Sequence, residues 1–599
     1  MEAHDEPAPD SGRREFIGSG AALLGARLMP ALAPAAPSVE ARATPSRAGP
    51  PPSSPPPGYN ILFILVDQEH FFDRWPFPVP GREWLAKNGI TFVNHQAASC
   101  ACSPARSTLY TGQHIQKTGL FDNVNAPWQA NMSTSVKTIG TRLAQLGYHA
   151  AYQGKWHLSH NMDTVTTPVD APMATYRKII ESYGFQDFLG FGDIVDTTLG
   201  GYSYDATTAA LATRWLRNEG SALAAKGTPW FLAINLVNPH DVMYVDSDLP
   251  GETVQGKSTV EPIAHPPSSD LYQARWNVPL PATRHQPFTG AGRPAAHQLY
   301  QAVQDQLVGA WPDEDRRWRL LQDYYFNCIR DCDRQVVAVL DALRASAMAE
   351  KTIIVFTADH GELGGAHQMR GKGTCAYREQ THLPLMIVHP AYPRGQRCQA
   401  LTSEIDLAPT LLALTGRTAG DLQTAREGLP GRDFSPLLHA PRQARVDALR
   451  PAALFNYNML LYQDPAWFAR LEQAMRTPGI TGAQKVAWMQ QNAPDFSLRC
   501  GVRSVFDGRY RFSRYFAPLG FNTPSTYEEL VARNDLELYD LVADPAETRN
   551  LAAAGAAREL VMAMNEKLNT QLAEEVGVDD GSFLPVRNGE LLLPGPAQR

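Results

Sequence analysis

From Asn60 the chain reads NILFILVDQEH, an unbroken apolar run that ends in an acid. A run apolar on both faces belongs inside a parallel sheet, so it predicts a buried strand with Asp67 at its carboxyl end. The pattern returns far downstream in TIIVFTADHGELGG, which predicts a strand over 352–358 with Asp359 and His360 at its tip. Between them lie helix-like TSVKTIGTRLAQLG, strand-like YHAAYQGKW, helical TTAALATRWLRNEG, strand-like WFLAINLVNPHD and the helical pattern YYFNCIRDCDRQVVAVLDAL. Strands alternating with helices predict an α/β domain: a large, mainly parallel but mixed sheet sandwiched by helices. From Val242 to Trp318 the chain is polar and proline-bearing with no clear period, which predicts an elaborated loop over the strand ends. After Leu438 the alternation changes. RSVFDGRYRFSRYF sets the turn signal Asp507-Gly508 between alternating segments, an antiparallel hairpin, and LELYDLVADPAETRNLA leads into a final helix. The expected division is an α/β domain over 59–441 and a smaller α+β domain with an antiparallel sheet over 442–599, without internal repeats.

The first residues follow other rules. Arg13 and Arg14 precede an apolar segment from Phe16 to Ala26, too short to span a bilayer, and Ala41-Arg42-Ala43 offers a small-residue cleavage point. The pattern looks like a twin-arginine export signal over 1–43, followed by a proline-rich linker over 44–58, with the mature fold starting near Tyr59. It predicts an exported bacterial protein, periplasmic or secreted, handled by the twin-arginine machinery, with no stable membrane span.

At 599 residues, 44% hydrophobic, 19% charged and with a net charge of -7, the chain has the balance of a globular enzyme. That charge excludes a nucleic-acid partner of the usual basic kind. A globally acidic surface also means that any anion site must be a local basic pocket. The odd count of 7 cysteines leaves at least one thiol unpaired, or one cysteine altered. Cys328 and Cys332 fall on one helix face, where a disulfide would be strained, so buried thiols are expected there.

Candidate chemistry gathers where the predicted strands end. Asp67 and Asp359, with Gln68 and His360 beside them, would make an oxygen-rich site for a hard cation such as Ca2+ or Mg2+ if the two strand tips converge; an acid at one strand end is otherwise an ordinary cap. In SCACSPARSTLYTG, Pro104 follows Cys102 and a helix start and Arg106 lie close by, a setting that lowers a thiol pKa and favours an anion. The ordinary readings are a core thiol or a disulfide with Cys100. Lys155 and His157 in GYHAAYQGKWHLSH are two apart on an extended segment and point the same way. His240 follows the strand NLVNP, and His367 and Lys372 sit in the glycine-rich GGAHQMRGKGTCAYREQ.

Together these segments, from about Tyr59 to the C-terminus, resemble the sulfatase family of the alkaline-phosphatase superfamily. Its motifs occur here in the family's order: NILFILVDQ, CSPARSTLYTG, GYHAAYQGKWH, the NPH strand end, TADHGELGGAH, GKGTCAYRE and LYDLVADPAETRNL. The resemblance implies an alkaline-phosphatase-like fold and a sulfuric ester hydrolase acting on an aryl or alkyl sulfate, its substrate a small-molecule or saccharide sulfate ester. It implies that Cys102, which alone of the two cysteines fits the Cys-x-Pro-x-Arg core, is oxidised by a formylglycine-generating or equivalent maturation enzyme to Cα-formylglycine, whose hydrate is the nucleophile. Asp67, Gln68, Asp359, His360 and the modified Cys102 would hold a divalent metal, Ca2+ first, with Mn2+ or Mg2+ as alternatives. Arg106 would hold the hydrate, Lys155 and Lys372 the sulfate oxygens, His157 the hydrate's proton and His240 the leaving alkoxide, with His367 lining the pocket. Gln68 and His360 depart from the commonest sulfatase pattern toward the choline-sulfatase and phosphonate-monoesterase branches. The alternatives are therefore a phosphonate or phosphate ester hydrolase on the same site, or a non-catalytic anion-binding homologue.

Overall fold

In the computed structural model, residues 55–162, 173–194, 197–257, 259–595 and 598 are described. The proposed export signal and most of the linker lie outside them. Strands β1 (Asn60–Asp67), β2 (Ile90–Gln96), β3 (His149–Gly154), β4 (Trp230–Pro239), β5 (Thr352–Ala358), β6 (His382–Leu383), β7 (Leu385–Val388) and β8 (Gln396–Ser403) form one eight-stranded sheet. Its order is β3-β4-β1-β5-β7-β2-β6, with β8 on β2. The run β3-β4-β1-β5 is parallel, whereas β7 pairs antiparallel with both β5 and β2, which makes the sheet mixed.

Strand β1 is central, and its side chains feed two cores because successive residues point to opposite faces. Ile61, Phe63 and Leu65 pack with Leu109, Tyr110, Leu143 and Leu411 on one face. Leu62, Ile64 and Val66 pack with Trp215, Val336, Val339 and Leu340 on the other. The helices Cys102–Thr111, Ile139–Gln145 and Leu407–Leu414 thus cover one side, and Gly200–Trp215 and Asp315–Arg344 the other. The predicted α/β sandwich is present.

A second, antiparallel sheet follows in chain order as β9 (Ala453–Tyr457), β10 (Gly501–Phe506), β11 (Tyr510–Phe516) and β12 (Asp535–Asp540), arranged β12-β11-β10-β9. Strands β10 and β11 are the hairpin expected around Asp507-Gly508. The helix Arg558–Glu575 buries Val561, Met564, Leu568 and Leu572 in the core that this sheet shares with it. The edge strand β9 reaches the first region, since the Asn456 N–H donates to Ala98 O at 2.9 Å and Ser99 Oγ donates to Asn456 O at 2.8 Å. Residues just before Cys102 are therefore held by the second sheet.

One expectation fails. The segment from Val242 to Trp318 is not all loop: Ala295–Val308 is a helix of 14 residues that buries Ala296, Tyr300, Val303 and Val308. Its inward face also carries His297 and Gln304, and those polar residues hide the helical period from a hydrophobic pattern. The seven cysteines are free and buried, Cys328 and Cys332 among them, so Cys100 and Cys102 are not a disulfide.

Candidate active site

Four parallel strands end side by side, and each delivers a functional group at its carboxyl end. Strand β1 ends in Asp67, β5 runs into Asp359 and His360, β4 into His240, and β3 into Lys155 and His157. The exit from β3 requires a glycine. Gly154 has φ +89°, and a Cβ there would lie 2.1 Å from the carbonyl oxygen of Asn235 on the neighbouring strand.

The helix Cys102–Thr111 begins at Cys102 itself, so the thiol sits at the amino end, where unpaired N–H groups and the helix dipole favour negative charge. Four contacts fix it there. Cys102 Sγ lies 2.9 Å from Lys372 Nζ, 3.6 Å from Lys155 Nζ, 3.3 Å from His360 Nε2 and 3.6 Å from Asp67 Oδ1. One helical turn on, fully buried Arg106 donates from Nε to Asp359 Oδ2 at 3.0 Å and from Nη2 to Asp67 Oδ2 at 3.2 Å. Lys155 Nζ donates to Asp67 Oδ2 at 2.7 Å. Three buried cations thus face two buried carboxylates, and the surplus of positive charge suits an anionic substrate inside an acidic protein.

Protonation follows from this crowding. Burial alone would raise Asp67, but Lys155, Lys372, His240 and Arg106 hold its carboxyl well below the usual range. Burial and the charge of Asp67 push Asp359 up to about 6. Burial and the neighbouring cations keep His157 and His240 neutral, well below the ordinary imidazole value. His360 falls to about 4, chiefly through burial.

Asp67, Cys102, Asp359 and His360 offer ligand atoms within 4.8 Å of one another, all buried. His360 Nδ1 is 3.1 Å from the carbonyl oxygen of Gly361, which assigns the ring proton to Nδ1 and leaves a lone pair on Nε2. That lone pair faces Asp67 Oδ1 at 3.7 Å and Asp359 Oδ1 at 3.6 Å. Two carboxylates and a neutral imidazole nitrogen pointing at one another fit a divalent cation. Gln68 takes another part: its Oε1 accepts from Lys372 Nζ at 2.7 Å and its amide donates to Glu362.

Above this cluster opens a cavity of about 300 Å³, lined at its base by His157, His240 and Lys372. Its walls are largely apolar, with Trp128, Tyr244, Leu307, Tyr462, Phe468 and Leu471. In the segment NYNMLLYQDPAWFARLEQAM, Tyr457, Tyr462 and Trp467 are all buried, and Tyr462 faces the cavity. His367 is not brought to the cluster. Its ring lies flat on Tyr377 at 3.5 Å and 8°, and its Nδ1 meets Gln286 Oε1 at 2.7 Å.

Three supporting residues escape a reading of the motifs. Asp193 accepts the backbone N–H groups of Trp156 and His157 and so holds the turn that aims His157. Asn235 Oδ1 accepts from Arg106 at 3.2 Å and from Tyr110 at 2.6 Å. Glu362 accepts from Gln68, Gly364 and Gly371 and braces the loop that carries Lys372. A signal exists for the last two, since Asn235 is polar inside the apolar run WFLAINLV and Glu362 lies in ADHGEL.

This fold and site are those of a hydrolase for anionic esters. The sequence profile of the family described as Sulfatase matches residues 60–417. The uncharacterized sulfatase YidJ of Escherichia coli (strain K12) is 26% identical over 386 residues, 59% of this chain and 67% of that one. The choline-sulfatase of Rhizobium meliloti (strain 1021) is 25% identical over 427 residues, 67% and 76% of the two chains. In structure, the phosphonate monoester hydrolase of Agrobacterium radiobacter superposes with a TM-score of 0.55 at 19% identity, covering 86% of this chain and 96% of that one. The chain belongs to the sulfatase family of the alkaline-phosphatase superfamily and is a sulfatase enzyme.

Proposed function

We propose that the protein hydrolyses the sulfate monoester of an apolar alcohol, with Cys102 matured to Cα-formylglycine and a divalent metal, Ca2+ first, held by Asp67, Asp359, His360 and the modified residue. The observation that carries this reading is the placement of Cys102: at a helix start, 2.9 Å from Lys372 Nζ and beside a carboxylate–imidazole cluster. The hydrated aldehyde would supply a nucleophilic oxygen. The metal would supply positive charge against which that oxygen and the sulfate are held.

The remaining work falls to the side chains. Lys372 and Lys155 offset the charge of the sulfate and fix its orientation for in-line attack, a role that low dielectric strengthens. Arg106, with both carboxylates on one guanidinium, locks the platform beneath Cys102. His157 is buried and its two ring nitrogens have no hydrogen-bond partner, so its neutral ring is free to take a proton from the nucleophile. His240, which also lines the cavity, donates an N–H to the departing oxygen. The apolar walls accept the alcohol, and among the described residues Lys372 is the one lysine or arginine lining the cavity, which disfavours a polyanionic saccharide. Export through the twin-arginine route is part of the same proposal, with Cys102 converted before the folded chain leaves the cytoplasm.

Two measurements test it together. Peptide mass spectrometry of active enzyme should find the aldehyde at position 102, and a panel of aryl and alkyl sulfates assayed beside aryl phosphonates should favour the sulfates. Cys102→Ala should lower turnover by roughly 10³-fold or more while the protein stays folded. Full activity with an unmodified thiol would sink the formylglycine mechanism. A large preference for phosphonate would transfer the site to the phosphonate ester reading.

A further inference from the structure

A second set of metal-type ligands lies apart from the catalytic cluster. His367, Glu379 and Glu547 each offer a ligand atom within 4.8 Å of the other two. They come from three places: the glycine-rich loop after β5, the short helix Arg378–Thr381 and the turn after β12. Glu379 is partly exposed, whereas His367 and Glu547 are fully buried.

The imidazole is oriented as a ligand would be. Its Nδ1 faces Gln286 Oε1 at 2.7 Å, an acceptor, so the ring proton is assigned to Nδ1. Stacking on Tyr377 fixes the plane of the ring, and the His367 N–H donates to Thr283 Oγ1 at 2.9 Å. What remains is Nε2, a buried lone pair with no hydrogen-bond partner. Glu379 Oε2 is likewise shielded and without a hydrogen-bond partner. An unsatisfied buried acceptor is destabilising, and two of them beside a second carboxylate call for a cation.

Neighbouring arginines do not supply it in full. Arg511 Nε lies 3.1 Å from Glu547 Oε1, and Glu547 Oε2 accepts the backbone N–H of Arg378 at 2.8 Å. The guanidinium of Arg378 turns to Pro545 O and that of Arg293 to the carbonyl of His367. Glu379 keeps its shielded oxygen unpaired.

We propose that His367, Glu379 and Glu547 form a second cation site, which takes a borderline divalent transition metal such as Zn2+. One imidazole nitrogen and two carboxylate oxygens are the donor set that such ions accept, with water completing the shell. Bonds of about 2.1 Å would draw the three ligand atoms closer together, a movement within the rotamer freedom of two glutamates. The ion would tie the loop of residues 363–377, which carries Lys372, to the turn behind the second sheet. It would act as a clamp on a substrate-binding side chain, not as a reaction partner.

The test counts metal. The full-length protein, H367Q and E379Q are dialysed against Zn2+ in the presence of excess Ca2+, and bound zinc per chain is measured by plasma mass spectrometry. Because all three share the catalytic cluster, its zinc cancels. The wild type should retain one equivalent more than either variant, and added Zn2+ should raise the Tm of the wild type more than that of either variant. Equal zinc in all three proteins overturns the proposal. If H367Q fails to fold, E379Q decides, since that side chain reaches the surface.

Discussion

Lys372 joins the nucleophile position to the cavity. Its ammonium touches Cys102 Sγ and Gln68 Oε1, lies 3.7 Å from Asp67 Oδ1, and lines the base of the cavity. A preorganised cation aimed at a reacting anion is worth roughly 10²–10³ in turnover, so Lys372→Met should cost about that much in kcat. Steady-state kinetics against an aryl sulfate is the measurement, and a change confined to KM would show that Lys372 only helps binding. The Cys102-Pro104-Arg106 spacing was legible because a helix start converts it directly into geometry. Gln68, His157 and His367 were harder to place. All three have left-handed backbones, with φ of 72°, 56° and 54°, and such a residue aims its side chain where no strand or helix period can foretell. The motif order still brought Gln68 and His157 to the site. His367 was placed there by position alone, and the turn carries it to Tyr377 instead.

Among the elements, the parallel strands were readable because burial on both faces leaves a continuous apolar run, here ending in acids and bounded by turn signals. The helix Ala295–Val308 was not, since its buried face includes His297 and Gln304. Joints between elements are equally silent in a sequence, and Asp122 makes one of them. Its Oδ2 accepts the N–H groups of Leu460 and Leu461, each at 3.0 Å, and Trp128 Nε1 at 2.8 Å, tying a loop of the catalytic region to the segment after β9. Burial outweighs these bonds and pushes its carboxyl up to about 6. A folded pKa above the ordinary 3.8 means that the native state binds the extra proton between these values. Asp122 therefore favours folding at low pH, and its contribution is lost as pH rises from about 4 through 6. Denaturation midpoints measured across that window should fall with pH more steeply in the wild type than in Asp122→Asn. Parallel curves would mean that the carboxyl ionises in the native state as it does in the unfolded chain.

At the scale of the molecule, the site is divided between two parts of the chain with different tasks. The strand ends of β1, β3 and β5 deliver Asp67, Lys155 and His360 to Cys102, while Lys372 comes from the loop after β5; the strand-end half of the site was readable from a physical rule, acids and bases at the ends of adjoining parallel strands. Much of the cavity wall comes from elsewhere, with Tyr462 in the segment after β9 and Phe468 and Leu471 on the helix Pro465–Met475. Nothing in that helix's sequence separates a wall from a core, because both are apolar; only the packing of the second sheet beside residues 98–99 turns it toward Lys372. Such a division predicts separable defects. Removing the Phe468 side chain takes away apolar contact that substrate and transition state share, and burying a side chain of this size contributes about 1.5–3 kcal/mol. Phe468→Ala should thus raise KM for a naphthyl or long-chain alkyl sulfate by roughly tenfold or more with kcat nearly unchanged, the signature of lost uniform binding. For a small polar sulfate ester, which leaves that wall empty, the same variant should keep its KM. Equal losses on both substrates would place the alcohol elsewhere in the cavity, and a fall in kcat alone would mean that the helix positions the catalytic groups rather than the substrate.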